Sequence, residues 1–178
     1  MTAGVPPRTS WAVQLVDPRP EDVVLEIGCG PGVAAVLLCD RLTTGRVIAV
    51  DRSPVAVQRT ARRGAGHVAA GRLTVVQSSL AGLVLPAPSV DRALAVDVNL
   101  FWTRDPGPEL AVLADVLRPG GHLFLLYAHG PTRADRVTDP VAAALRRDGF
   151  TDVEVVGSAA GTGVRARGAA GHPRPGQA

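Results

Sequence analysis

The chain has 178 residues, of which 46% are hydrophobic and 20% charged, so its composition is that of one ordinary globular domain and not of a disordered chain. All 19 basic residues are arginines, and the formal net charge of +3 comes entirely from Arg165, Arg167 and Arg174, because residues 1–160 sum to zero. This distribution predicts no basic groove, so nucleic acid is not expected as a partner.

Strands and helices alternate along the predicted secondary structure. The pattern predicts, in order, a helix at Trp11–Val16, a strand at Val23–Ile27, a helix at Val33–Leu42, a strand at Arg46–Val50, a helix from Pro54 capped by Ser53, and a strand at Leu73–Gln77. It continues with a strand at Val90–Val96, a helix at Pro108–Leu117 that stops at Pro119-Gly120-Gly121, a strand at His122–Tyr127, a helix at Pro140–Arg147, and strands at Val153–Val156 and Val164–Arg167.

This alternation predicts an α/β fold with a single doubly wound, mostly parallel, seven-stranded Rossmann-like sheet and helices on both faces. The ligand site of such a sheet lies outside the carboxyl ends of its strands. Residues 1–16 are predicted to be an N-terminal segment and partial lid, residues 17–168 the main domain, and residues 169–178 a flexible tail.

A glycine-rich turn follows the first predicted strand, in the segment Glu26-Ile27-Gly28-Cys29-Gly30-Pro31-Gly32. Glycines allow a ligand to approach the backbone, and the following helix offers free N–H groups. The spacing differs from the dinucleotide pattern because residue 33 is valine. A carboxylate at Glu26 would repel a pyrophosphate and attract an amino or sulfonium group, so the charge favours a cationic ligand over NAD.

A second carboxylate, Asp51, ends the second predicted strand. At that position it can accept hydrogen bonds from both hydroxyls of a ribose. A structural role in a turn is the alternative for such a residue taken alone. Together with the preceding glycine loop, Asp51 indicates a nucleoside-containing ligand.

These residues resemble the class I S-adenosylmethionine-dependent methyltransferases. The match extends to Ser89–Val96, which is similar to the family's fourth strand, and to Leu117–Leu123, which is similar to its "LRPGG" turn into strand five. Order and spacing agree from about residue 11 to residue 156. The segments Phe101-Trp102 and Asp105-Pro106 resemble a ubiquinone-biosynthesis-like branch with small-molecule substrates.

The resemblance implies S-adenosylmethionine as the cofactor, with its methionine end near Glu26 and near the loop residues Gly28, Cys29, Gly30 and Gly32. Glu26 would orient the amino group of the cofactor.

The resemblance also assigns the nucleoside end of the cofactor. Asp51 would hold the ribose, and Arg52 would follow the adenine edge. Ser78, Ser79 and Leu80 would lie beside the adenine, with Ser79 where the family often carries an aspartate. We expect this replacement to weaken cofactor binding by about 1 kcal/mol, because a hydroxyl accepts a hydrogen bond without a charge.

Two residues are candidate general bases. Asp97, where related sequences often carry asparagine, follows the fourth strand and would lie near the methyl group of the cofactor and the substrate. His129 follows the fifth strand. The alternatives to a role as general base are that Asp97 is a loop carboxylate bonded to nearby backbone N–H groups and that His129 is a solvated loop histidine. Phe101 and Trp102 could line the acceptor site or pack in the core, and Trp11 could belong to a lid or simply pack.

The expected function is transfer of a methyl group by in-line displacement to an unidentified acceptor, with a small molecule favoured. Because the N-terminal segment is short, two alternatives stay open. A second subunit could complete the pocket, which would make the protein a homodimer, or the acceptor could be larger than a small molecule. The alternatives are a non-catalytic methyltransferase-like binding or scaffold domain, and an NAD-dependent oxidoreductase.

Several classes of protein and of binding site are excluded by features that the sequence lacks. Cys29 and Cys39 are too few for a disulfide framework or a cysteine-based zinc site, and no other metal-ligand spacing occurs, so no metal is expected. No run of 18 apolar residues is present, and the N-terminus lacks a secretory pattern. These features predict a cytoplasmic protein without membrane insertion.

Overall fold

The computed structural model describes residues 4–130 and 132–169. The strands are β1 (Val23–Ile27), β2 (Arg46–Asp51), β3 (Leu73–Gln77), β4 (Val90–Val96), β5 (Leu117–Ala128), β6 (Thr151–Ser158) and β7 (Gly161–Arg167). The helices are α1 (Pro7–Val16), α2 (Val33–Cys39), α3 (Pro54–Arg63), α4 (Ala65–Ala69), α5 (Leu100–Thr103), α6 (Gly107–Val116) and α7 (Ala134–Arg147). Except for Ala169, the predicted tail lies outside the described residues, as do residues 1–3.

The seven strands form one sheet in the order β3-β2-β1-β4-β5-β7-β6. Strands β1 to β5 pair in parallel, whereas β7 runs antiparallel to both β5 and β6. The predicted seven-stranded α/β fold is confirmed, but the sheet is mixed, and the expectation of a mostly parallel sheet is corrected at this edge. The physical reason is that only two residues connect β6 to β7, and a connection that short joins only antiparallel strands.

Helices cover both faces of the sheet, and each face has its own hydrophobic core. On one face α1 and α2 bury residues such as Val13 and Leu38 against Val24 of β1. On the other face α6 and α7 bury residues such as Leu113 and Leu145. The central strand β1 is buried along its whole length because apolar helices pack on both of its sides.

A buried ion pair ties the segment before β1 to the middle of the sheet. The Arg92 Nε donates to Asp22 Oδ2 at 2.6 Å, and another nitrogen of Arg92 donates to the carbonyl of Val16 at 3.0 Å. The backbone N–H of Arg19 also donates to Asp22 Oδ2, at 2.9 Å. These bonds lock the chain after α1 against β4.

Several helix boundaries differ from those predicted. Helix α7 begins at Ala134 instead of Pro140, because Val137 lies one turn before Val141 on the buried stripe, and burial of this stripe outweighs the backbone hydrogen bond that Pro140 cannot donate inside the helix. Helix α1 begins at Pro7, four residues before the predicted start, and α2 ends three residues early at Cys39. The short helix α5 was not predicted.

The "LRPGG" segment forms the beginning of β5 and not a separate turn before it. Leu117 already pairs with Val90, and a register shift follows before Arg92 pairs with His122. Gly120 has φ +73°, which lets the strand bulge at this point. No helix among the described residues is long and apolar enough to cross a membrane.

Candidate functional site

A cleft of about 600 Å³ opens at the carboxyl ends of strands β1 to β4. This is where a parallel α/β sheet is expected to bind its ligand. Seven of the residues predicted to bind a cofactor line it: Gly28, Asp51, Arg52, Ser78, Ser79, Leu80 and Asp97. The predicted residues that do not line it are Glu26, Cys29, Gly30, Gly32 and His129.

The glycine loop is pinned to the end of β2. The backbone N–H groups of Gly28 and Cys29 both donate to the carbonyl of Val50, at 2.8 and 3.1 Å. Gly28 has φ +69°, and a Cβ on it would lie 2.7 Å from Cγ2 of Val98. A side chain at residue 28 would therefore collide with the wall of the cleft.

The second half of the loop serves helix packing. A Cβ on Gly32, where φ is +76°, would lie 2.7 Å from Cα of Thr60 in α3. The Thr60 hydroxyl donates to the carbonyl of Gly30 at 3.1 Å and lies 3.3 Å from Sγ of Cys29. Burial raises the pKa of the Cys29 thiol to about 11, so this cysteine is a protonated packing residue.

The carboxylate of Asp51 is held in place by two backbone groups. Its Oδ2 accepts from the N–H of Gly30 at 3.0 Å, and its Oδ1 accepts from the N–H of Ser53 at 2.9 Å. Ser53 in turn caps α3, since its hydroxyl accepts from the N–H of Ala56. Each carboxylate oxygen keeps a further lone pair for a ligand in the cleft.

Glu26 lies beneath the glycine loop and is only 5% exposed. Within residues 4–130 and 132–169 its Oε2 has no hydrogen-bond partner. Burial, with the nearby charge of Asp51 as a smaller cause, raises the pKa of Glu26 to about 8, although an N–H bond from Ala35 acts in the opposite direction. In the protein alone this carboxyl is therefore largely protonated at neutral pH.

The residues that follow β3 form a compact turn at the edge of the cleft. The hydroxyl of Ser78 donates to the carbonyl of Ser79 at 2.8 Å. The hydroxyl oxygen of Ser79 accepts from the N–H of Gly82 at 3.2 Å. Leu80, the next residue, is buried and anchors this turn in the core.

Asp97 has both carboxylate oxygens engaged. Its Oδ1 accepts from the N–H of Ala128 at 2.7 Å, and its Oδ2 forms an ion pair with Nε of Arg8 at 2.7 Å. Asp97 has φ +58°, a conformation that is uncommon outside glycine. Arg8 was not predicted from the sequence, and it links the first turn of α1 to the rim of the cleft.

The other candidate residues lie outside the cleft. His129 is exposed, and its Nε2 lies 2.9 Å from the carbonyl of Ser158, to which it donates. Phe101 is buried in the core, and Trp102 borders a second cavity beside α7. Trp11 packs against the core below α1 and approaches Gly161 of β7.

The far wall of the cleft holds an ion pair that the sequence reasoning missed. Arg104 donates to both carboxylate oxygens of Glu109, which is 4% exposed. Glu109 shares the inward stripe of α6 with Leu113 and Val116, at the i, i+4 and i+7 positions. A charged residue on an otherwise apolar stripe was the signal that could have identified it.

A family model described as a methyltransferase domain matches residues 24–121, which is more than half of the chain. The chain belongs to this family. The matched segment of the methyltransferase domain contains the glycine loop, Asp51, the β3 turn and Asp97. The prediction of a class I S-adenosylmethionine-dependent methyltransferase is confirmed, and with it S-adenosylmethionine as the cofactor of the family.

Individual relatives agree with this assignment. The chain is 29% identical to a trans-aconitate 2-methyltransferase of Streptomyces avermitilis, over 60% of this chain and 39% of that protein. It is 31% identical to the nocamycin O-methyltransferase of Saccharothrix syringae, over 73% of this chain and 50% of that protein. The chain spans between a third and just over half of the length of three curated relatives that it matches.

Solved structures share the fold of the methyltransferase domain. A SAM-dependent methyltransferase from Aquifex aeolicus superimposes with a TM-score of 0.76 at 20% sequence identity, covering 90% of this chain and 89% of that chain. At this identity the likeness shows the fold. The roles of the individual cleft residues remain predictions.

Proposed function

We propose that the protein transfers a methyl group from S-adenosylmethionine to an acceptor bound at the same cleft. The observation that carries this proposal is the position of Asp51, whose carboxylate ends β2, lines the cleft and is oriented by the N–H groups of Gly30 and Ser53. Such a carboxylate is suited to accept hydrogen bonds from two ribose hydroxyls.

The environment of Glu26 fits the cationic end of this cofactor. The unpartnered Oε2 is a buried acceptor without a donor among the described residues, which is costly unless a ligand supplies one. A positive charge nearby would lower the raised pKa of Glu26 and bring the carboxyl into its ionised form. An amino group bound near the glycine loop would provide both the donor and the charge.

The residues of the cleft mainly position the reactants. Bound S-adenosylmethionine supplies an activated methyl group on a sulfonium, so the protein contributes alignment and exclusion of water. Both carboxylate oxygens of Asp97 are already engaged, one by Arg8 and the other by the N–H of Ala128. This arrangement suits a residue that orients a ligand or the cleft rim better than it suits a general base. We therefore propose Asp97 as an orienting residue.

The proposed acceptor is a small molecule. A cleft of about 600 Å³ has room for a cofactor and a compact partner, and its lining among the described residues holds two arginines against three carboxylates, which does not favour a nucleic-acid acceptor. The trans-aconitate 2-methyltransferase to which the chain is similar is named for a small acceptor. The charge balance of residues 1–160 supports the same choice.

The test is calorimetric titration of the purified protein with S-adenosylmethionine and S-adenosylhomocysteine, with NADH as the control ligand. We expect micromolar affinity for the first two and no binding of NADH. Absence of binding at millimolar S-adenosylmethionine would overturn the proposal and favour a scaffold role. Tight binding of NADH alone would favour an oxidoreductase.

A further inference from the structure

The neutral charge of residues 1–160 is a sum over segments of opposite charge. Residues 52–90 hold five arginines and no aspartate or glutamate. This segment contains α3, α4 and β3, and β3 is the outermost strand on one side of the sheet. Positive charge is therefore concentrated at that edge of the molecule, although the domain as a whole is neutral.

Three of these arginines form a cluster on the outward face of α3, which we call the α3 arginine cluster: Arg59, Arg62 and Arg63. They lie at positions i, i+3 and i+4, and all three are exposed. Together with Pro31 of the glycine loop they line a surface cavity of about 420 Å³. Within residues 4–130 and 132–169 none of the three guanidinium groups forms an ion pair with a carboxylate.

The cluster has an electrostatic cost that the helix does not compensate. Like charges at these spacings on a helix repel one another. The helix dipole accounts for Arg62 and Arg63, which lie in the last turn of α3, but it does not account for Arg59 or for a segment without any carboxylate. An anion bound among the three guanidinium groups would relieve this repulsion.

Arg63 is already oriented by the glycine loop. Its Nε donates to the carbonyl of Pro31 at 2.7 Å, and within the described part of the chain its two terminal nitrogens have no further partner. A guanidinium that is held in this way loses less conformational entropy when a ligand binds. The contact therefore prepares Arg63 to donate to an anion in the cavity.

The cavity fits a compact anion that carries several charges. A guanidinium fork matches the oxygens of a phosphate group, and three forks around a cavity of about 420 Å³ can engage more than one phosphate. A single-stranded nucleic acid also needs aromatic side chains on which its bases stack. Residues 52–90 contain no Phe, Trp or Tyr, so a small di- or triphosphate fits better than a nucleic-acid strand.

We propose that the α3 arginine cluster is a binding site for a small molecule that carries a diphosphate or triphosphate group. The site is distinct from the cleft, because the two cavities share no lining residue. Both border the glycine loop, since Gly28 lines the cleft and Pro31 lines the cavity beside α3. The inference does not depend on methyl transfer, because none of the three arginines is assigned to the cofactor or the acceptor.

The test is calorimetric titration of three proteins with inorganic tripolyphosphate at low ionic strength. The proteins are the wild type, the double variant Arg59→Gln/Arg62→Gln, and the control Arg136→Gln/Arg146→Gln, which removes the same charge from two exposed positions of α7. Arg59 and Arg62 are exposed, and glutamine has a similar helix propensity, so the double variant is expected to fold.

We expect the wild type and the control to bind tripolyphosphate equally, and the Arg59→Gln/Arg62→Gln variant to bind it about tenfold more weakly, because each exposed charge pair contributes a modest factor. The affinity should fall as salt is added, since exposed charges are screened. Equal affinity in the wild type and the double variant would overturn the inference. An equal loss in the control, or no binding to the wild type, would also overturn it.

Two further probes identify the class of anion. Citrate carries carboxylates only, and a short oligouridylate carries phosphodiesters of a nucleic-acid strand. Tighter binding of tripolyphosphate than of either probe supports the inference. If citrate or the oligouridylate binds the wild type more tightly than tripolyphosphate and loses affinity in the double variant, the cluster recognises a carboxylate ligand or a nucleic acid instead, and the inference is wrong.

Discussion

At the scale of single residues, two carboxyl groups at the carboxyl ends of neighbouring strands have opposite environments. Asp51 is half-buried and receives two backbone N–H bonds, which fix the orientation of its carboxylate. Glu26 is buried with one oxygen unpartnered, which destabilises its charge and raises its pKa to about 8. We propose that Asp51 accepts from neutral hydroxyl donors and that Glu26 faces the cationic end of the ligand.

Replacing Asp51 with alanine is expected to weaken binding of S-adenosylhomocysteine by a factor of ten to a hundred, on the order of 1.5–3 kcal/mol. The physical reason is the loss of charged acceptors for the ribose. Calorimetric titration measures the change, with Asp115→Ala, an exposed position on α6, as the control. Unchanged affinity in a folded Asp51→Ala protein would place the ribose elsewhere.

The raised pKa of Glu26 predicts a pH-dependent cost to folding. Its pKa rises from 4.5 in the reference state to about 8 in the folded protein, so the folded state binds the proton more tightly. The associated stability is complete below pH 4.5 and is lost as the pH rises to 8. We expect Glu26→Gln to gain stability relative to the wild type between pH 5 and pH 8, on the order of 3–5 kcal/mol.

Urea denaturation across this pH range measures that difference. The matched control is Glu154→Gln, because Glu154 is exposed. If the stability curves of wild type and Glu26→Gln run parallel from pH 5 to pH 8, the raised pKa is wrong.

At the scale of elements, the packing of α3 on the glycine loop makes Gly32 a structural residue. Alanine there would have both φ +76° and a Cβ 2.7 Å from Cα of Thr60. Gly71 offers a matched control, because it has φ +70° but open space around a Cβ.

We expect Gly32→Ala to lower the free energy of unfolding by about 3 kcal/mol, and Gly71→Ala by about 1 kcal/mol. The difference isolates the cost of steric overlap with α3 from that of the backbone conformation. Urea denaturation of both variants provides the comparison, and equal losses would show that α3 can move away at little cost.

At the scale of the whole molecule, binding at the cleft engages several elements at once. The cleft residues come from the ends of β1, β2 and β4, from the turn after β3, and from α5 and α6. A ligand that contacts these elements together favours the folded state over the unfolded chain.

We therefore expect S-adenosylhomocysteine at 100 times its dissociation constant to stabilise the protein by about 2.7 kcal/mol, and to raise the melting temperature by roughly 5–10 °C. A thermal-shift titration measures this, with NADH as the control. A melting temperature that does not change at saturating ligand would contradict binding to the folded state.

Local sequence patterns were sufficient to predict those elements whose bounds depend only on neighbouring residues. Strands β1, β3 and β4 have the predicted bounds, because each is a short segment rich in apolar residues between turn residues. The Ser53 cap and the start of α3 at Pro54 were also predicted, since both depend on residues within one turn. The glycine loop and Asp51 were recognisable for the same reason.

Tertiary packing decided what these local patterns leave open. The pairing of β7 with β5, the extension of α7 through Pro140, the ion pair between Arg8 and Asp97, and the burial of Glu109 against Arg104 all depend on contacts between segments distant in sequence or packed by the core. Residue type and spacing encode which groups a chain offers to a ligand. Which of them face the same cleft is decided by the free energy of packing the sheet and its helices together.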